Sequence, residues 1–153
     1  MTAATFQFKS AELPDLDDMR RFVEQSAFKL GATEDVVGEM VLAVNEAVTN
    51  ILLHGYRSRP GGVEIAVRGE GDRLIVSLRD RAPHYDPTAV PPPDLALSLD
   101  ERPLGGLGVH MMRQFTDELR YRVTDDGENE LLLIKVAALS PAGQPQKVRQ
   151  TDG

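Results

Sequence analysis

The chain is 153 residues long and 41% hydrophobic, with 17 basic against 24 acidic residues, a net charge of −7 at pH 7 and no cysteine. Its size and apolar content suit one domain with its own core. The acidic balance, with basic residues scattered rather than blocked, argues against nucleic acid or an anionic membrane as partner, and the missing cysteines exclude disulfides, thiolate catalysis and thiolate metal sites. Met1 to Lys9 lacks the charged-then-apolar layout of a signal peptide, and no apolar run reads as membrane-spanning. A soluble, cytoplasmic protein is expected.

Alternation around Phe6 and Phe8 predicts a short strand over Thr5–Lys9. Pro14-Asp15 opens a helix with Asp15 as its expected N-cap, Leu16, Met19, Phe22 and Val23 as its buried stripe, and Gly31 as its stop. Thr33 is the expected cap of a second helix over Val36–Leu53, whose core stripe is Val37, Val41, Val44, Val48 and Ile51, with Gly55 near its end. Two strands, Val63–Arg68 and Arg73–Arg79, follow as a hairpin through Gly69-Glu70-Gly71-Asp72. The stretch from Ala82 to Pro103 holds six prolines without a period and reads as a lid. A glycine cluster, Gly105-Gly106-Leu107-Gly108, leads into a short helix over Val109–Phe115, and a last hairpin joins Glu118–Thr124 to Glu130–Ala137. The expected domain covers residues 1–139, with a lid at about 82–104 and a polar, frayed tail over 140–153. Strands and helices do not alternate one for one. The fold class is therefore α+β: a two-layer sandwich of a mixed, mainly antiparallel sheet with helices on one face.

Three polar elements interrupt this pattern. Glu46 and Asn50, one helical turn apart, share a face beside the apolar stripe, with only Ala43 and Ala47 close by. A carboxamide oxygen suits Mg²⁺, and a carboxylate can accept a proton from an attacking hydroxyl; ordinary exposed polar residues are the plainer alternative. Asp80 ends an apolar strand, where it can accept a hydrogen bond from an adenine amino group or simply terminate the strand. The glycine cluster before a helix can bring backbone N–H groups to an anion or make a plain turn. There is no Gly-Lys-Ser/Thr sequence, which excludes the P-loop way of holding phosphate.

Taken in order, these stretches resemble the boxes of the GHKL ATPase superfamily. Glu46-Ala47-Val48-Thr49-Asn50 with His54-Gly55 is similar to its N box, Asp80 to Pro87 to its first glycine box, and Gly105 to Arg113 with Asp117-Glu118 to its second. Asp86-Pro87 and the short length resemble most the anti-sigma factor serine kinases of bacterial partner switching. That resemblance implies Glu46 as general base and Asn50 as the Mg²⁺ ligand. It also implies a nucleotide site of Asn50, Asp80, Ala82, Gly105, Gly106, Leu107, Gly108 and Val109 around ATP. It further implies a STAS-type anti-anti-sigma partner phosphorylated on serine, a sigma factor or other output protein as second partner, and a homodimer. Two departures stand out: Ala82 occupies a place where the family has glycine, and the last strand lacks a threonine that relatives often carry near the adenine. A nucleotide-gated binding protein without phosphoryl transfer is the alternative. A sensor histidine kinase is disfavoured, because the chain has no room for a helix pair carrying an acceptor histidine and His54, His84 and His110 all lie inside the boxes.

Overall fold

The computed structural model describes residues 3–91 and 106–140, with Gly106 and Leu107 described by their backbone alone. Gly105, residues 92–104 of the expected lid and residues 141–153 of the expected tail lie outside the described residues.

Five strands, β1 (Ala4–Ala11), β2 (Gly61–Glu70), β3 (Arg73–Asp80), β4 (Glu118–Val123) and β5 (Asn129–Lys135), form one sheet in the order β1-β2-β3-β5-β4. All four ladders are antiparallel, so the expected mixed sheet is corrected to a fully antiparallel one. Register decides which face is apolar. Val76 pairs with Val67 on one side and Leu133 on the other, and Leu78 pairs with Ile65 and Leu131, so these side chains share a face by the two-residue period of the pleat. Against that face pack α1 (Leu16–Lys29), α2 (Glu34–Asn50) and α3 (Gly106–Phe115), and Met19, Val23, Met40, Val44, Val48 and Met112 are all fully buried there.

The opposite face is mixed: Ile75 pairs with Ile134 and both are buried, while charged groups pair beside them. Glu130 is 5% exposed and accepts from Arg79 Nε at 2.7 Å and Arg122 Nε at 2.6 Å, both from flanking strands. Burial pushes its carboxyl upward, but the Arg122 and Arg79 guanidiniums outweigh that and hold it below the usual carboxylate range.

Local chemistry explains the helix ends. Thr33 Oγ1 accepts from Val36 N–H at 3.4 Å, the cap expected of it. Gly31 has φ +97°; its N–H reaches Phe28 O at 3.0 Å and Ala32 N–H reaches Ala27 O at 3.1 Å, the paired bonds of a left-handed glycine stop. Asp15 stands at the N-cap position of α1, as expected, but its side chain does not cap that helix: it ends a 3₁₀ turn over Leu13–Asp15, and its Oδ2 accepts from Glu12 N–H at 2.8 Å. The carboxylate thus serves the turn before the helix. Strand β5 stops at Lys135 rather than Ala137, because Ala137 takes φ +49° and the next two N–H groups turn to Asp72 O.

Helix α2 runs without a break into a π-helical turn over Ile51–Gly55. The continuous segment Glu34–Gly55 is 22 residues and contains an 18-residue window of mean hydropathy 1.5, which by length and composition alone corrects the expectation that no segment is long and apolar enough to cross a bilayer. Val37, Met40, Val44 and Val48 of this helix are spent on the domain core.

Candidate functional site

A cavity of about 610 Å³ opens where the end of α2, the ends of β3 and β5, and the loop after β3 meet. Asn50, Asp80, Ala82, Met112, Tyr121 and Asn129 are among the residues lining it. Two of the three stretches singled out in the sequence therefore converge, as does the wall that α3 supplies through Met112.

The helical side rests on the turn after Asn50. A π turn widens the end of α2 and delivers Tyr56, whose phenol donates to Gly62 O at 2.7 Å and accepts from Arg81 N–H at 2.8 Å. Burial raises the Tyr56 phenol, against the bond from Arg81, so it stays a neutral O–H that can serve both roles. The ring packs so closely on Gly61 that a Cβ there would stand 2.4 Å from it. Tyr56 thus bolts the end of α2 to the strand ends that carry Asp80. Glu46, one turn before Asn50, faces α3: a Cβ on Gly108 would stand 3.4 Å from Glu46 Oε2, so the bare glycine leaves room for the carboxylate. Burial raises the Tyr85 phenol, opposed by a hydrogen bond from Asn50, so these two groups stand together at the cavity wall.

The sheet side is drier. Asp80 is 5% exposed, and its Oδ1 accepts from Ala82 N–H and from Asn129 Nδ2, each at 2.9 Å. Burial raises its carboxyl above the ordinary value of 3.8, opposed by those two hydrogen bonds. Oδ2 takes no bond from a described residue. Asp80 lines the cavity, so Oδ2 is the carboxylate oxygen left for a ligand there.

Asn129 escaped the sequence reading. It lies directly across the β3–β5 ladder from Asp80, on the strand where a threonine was sought. The available signal was a polar residue at the start of the run Leu131–Ile134, at the parity that faces the helices.

Ala82 is 6% exposed and its φ is not positive, so the backbone there does not need glycine. Its methyl points at the Cα of Gly55, where a Cβ would stand 2.9 Å away. The glycine of the N-box end makes space for the alanine of the next box. Asp86 caps a 3₁₀ turn over Pro87–Ala89, accepting from Thr88 N–H at 2.8 Å, and Arg113 of α3 donates to Thr88 O at 2.8 Å. The root of the expected lid is therefore fastened to α3.

The structure also places the other residues singled out in the sequence. Val109 is fully buried in the core, so only its backbone can face a ligand. His54 is exposed at the cavity rim. His84 braces a loop, with Nε2 2.8 Å from Gly127 O. Gly106 and Gly108 lie within the first turn of α3, not in a loop before it.

Known proteins resemble this chain in sequence and in fold. The family model of the histidine kinase-like ATPase domain matches residues 9–135. The serine/threonine-protein kinase BtrW of Bordetella bronchiseptica is 33% identical over 100 residues, which cover 65% of this chain and 70% of BtrW. The anti-sigma F factor of Clostridium kluyveri is 30% identical over 108 residues, 71% of this chain and 76% of that one. The serine-protein kinase RsbW of Bacillus cereus is 27% identical over 110 residues, 69% and 68% of the two chains. The crystal structure of the RsbU and RsbW domains of Rv1364c from Mycobacterium tuberculosis matches in fold with a TM-score of 0.59 at 18% identity, covering 90% of this chain and 34% of that longer one. An antiparallel sheet under three helices, a cavity at the end of α2 and a family match over most of the length agree: this chain belongs to the histidine kinase-like ATPase domain family, among its anti-sigma factor serine-protein kinases.

Proposed function

We propose that the cavity binds ATP with Mg²⁺ and that the chain transfers the γ-phosphoryl group to a serine of a STAS-type anti-anti-sigma protein. It works in the cytoplasm as a homodimer within a partner-switching pathway, and it also holds a sigma factor or another output protein. The observation that carries this reading is the convergence of Asn50, Asp80 and Ala82 on one cavity, with Glu46 standing against the first turn of α3.

Each group has work suited to its surroundings. Asp80 Oδ2, in a nearly dry setting, accepts from the exocyclic amine of adenine, where one hydrogen bond to a charged acceptor is worth about 1.5–3 kcal/mol. The first turn of α3, with Gly106 and Gly108, offers backbone N–H groups to the phosphates. No cluster of three or more acidic or histidine ligands exists among the described residues. Mg²⁺ would accordingly be held by Asn50 Oδ1, phosphate oxygens and water, and would supply charge neutralisation at the transferred group. Glu46 takes the proton from the serine Oγ as the Oγ–P bond forms and the bond from phosphorus to the ADP oxygen breaks. Fastening of Thr88 to Arg113 couples the lid root to the helix that faces the phosphates.

The test is transfer from labelled ATP to the cognate STAS protein. Glu46→Ala is expected to lower the transfer rate by about 100- to 10,000-fold, the usual worth of a positioned base, while leaving ATP affinity within a few-fold. A Glu46→Ala protein that transfers at the unmodified rate refutes the mechanism. ATP-dependent partner binding with no phosphoserine in the unmodified protein would instead make it a nucleotide-gated binder.

A further inference from the structure

Asn129 has every hydrogen-bonding capacity of its carboxamide engaged. Nδ2 donates to Asp80 Oδ1 at 2.9 Å, to Ala82 O at 2.9 Å and, more weakly, to Pro83 O at 3.4 Å. Oδ1 accepts from Tyr85 N–H at 3.3 Å and from the Tyr121 phenol. The orientation is fixed by its neighbours, since three acceptors on one side can be met only by the amino group. The side chain is 6% exposed and lines the cavity with Asp80, Ala82 and Tyr121. One residue of β5 thereby ties together β3, β4 and the loop that follows β3.

The consequence falls on Asp80. Its carboxylate could rotate about Cβ–Cγ, but two donors converging on Oδ1 stop that rotation and leave Oδ2 alone facing the cavity. Of those two donors, the Ala82 N–H belongs to a loop that Asn129 itself holds through Ala82 O and Pro83 O. Without Asn129, the second anchor loosens with the first.

We propose that Asn129 is the positioning residue for base recognition: it pins Asp80 Oδ1 and the Ala82–Tyr85 loop so that Oδ2 is aimed at the 6-amino group of the purine. This rests on the reading of Asp80 as the adenine acceptor. It predicts a selective loss. Removing Asn129 reduces discrimination at position 6 of the purine, and not merely affinity for any nucleotide.

The experiment is calorimetry of the full chain with Mg-ATP and with Mg-purine riboside triphosphate, which lacks only the 6-amino group. It is run on the unmodified protein, Asn129→Ala and Asn129→Leu, with melting of each ligand-free protein as a control. The leucine keeps most of the volume and suits the apolar run of β5, so it reports even where the alanine variant does not fold. The unmodified protein is expected to prefer ATP by about tenfold or more. In the Asn129 variants that preference falls to about threefold or less, while purine riboside triphosphate binds nearly as before. An unchanged preference in a folded variant overturns the role given to Asn129 and leaves that of Asp80 standing. No preference in the unmodified protein overturns the reading of Asp80, and the role of Asn129 with it.

Discussion

At the sheet end of the cavity, Asp80, Asn129 and Ala82 hold one another through bonds of 2.9 Å and are nearly inaccessible to water. At the helix end, Glu46 makes no hydrogen bond to any described residue, Asn50 is half-buried beside Tyr85, and the nearest wall is a glycine of α3. One end is finished by the protein itself; at the other, Asn50 bonds the Tyr85 phenol while the Glu46 carboxylate is left to be completed by what binds. The physical reason is the job each end does. A base is recognised by aiming a fixed acceptor, which needs a rigid and dry frame. A phosphoryl group in transfer changes charge and position, so its partners must be close without being committed elsewhere.

Exchanging Asp80 for asparagine should break the difference most sharply. In Asp80→Asn the Oδ1 acceptor for Ala82 N–H and Asn129 Nδ2 survives, while the cavity-facing acceptor becomes a donor. ATP affinity should drop by about 100-fold, and preference should move toward a 6-oxo purine, read by calorimetry with ATP and GTP. Stability should not suffer, and the sign follows from the raised carboxyl of Asp80. A native acid whose pKa lies above its unfolded value binds protons more tightly when folded, so stability is lost as pH rises through the folded value. The neutral asparagine has no such loss. The gap in melting temperature between Asp80→Asn and the unmodified protein should therefore widen in favour of the variant on going from acid to neutral pH.

Smaller in scope is the contact between Gly55 and Ala82. Gly55→Ala places two methyl carbons 2.9 Å apart, and should cost about 1–3 kcal/mol of unfolding free energy in denaturant titrations. Ala82→Gly in the same chain should recover most of that loss. A double variant no more stable than Gly55→Ala alone would show that the two positions are not sterically coupled. Gly108→Ala should have the mildest effect. Its Cβ meets Glu46 Oε2 at 3.4 Å, so the carboxylate must move by a few tenths of an ångström. Transfer should slow by about tenfold while the helix gains about 0.5–1 kcal/mol, separating rate from stability at the helix end.

Much of this site could be read along the chain because its signals are local. The i, i+4 spacing of Glu46 and Asn50, the valine stripe beside them, the Thr33 cap and the Gly31 stop each depend on residues within one or two turns. Asp80 at the end of an apolar strand is equally local. The details that were misread depend on distant parts. Asn129 was missed because its partner Asp80 lies 49 positions away and meets it only across the β3–β5 ladder. That Ala82 is matched by the bare Cα of Gly55, 27 positions earlier in the numbering, becomes visible only when the chain folds.

By itself the amino-acid order determined the sandwich of helices on a sheet, the carboxylate and carboxamide on one helical face, and the acidic strand end, since periodicity and caps are properties of short segments. Only the tertiary structure decided that β5 lies between β3 and β4, and so brings Asn129 opposite Asp80. Ladder register across a sheet is set by burial of the whole apolar face at once. A residue that acts through its cross-strand partner is therefore recognised only when that partner is known.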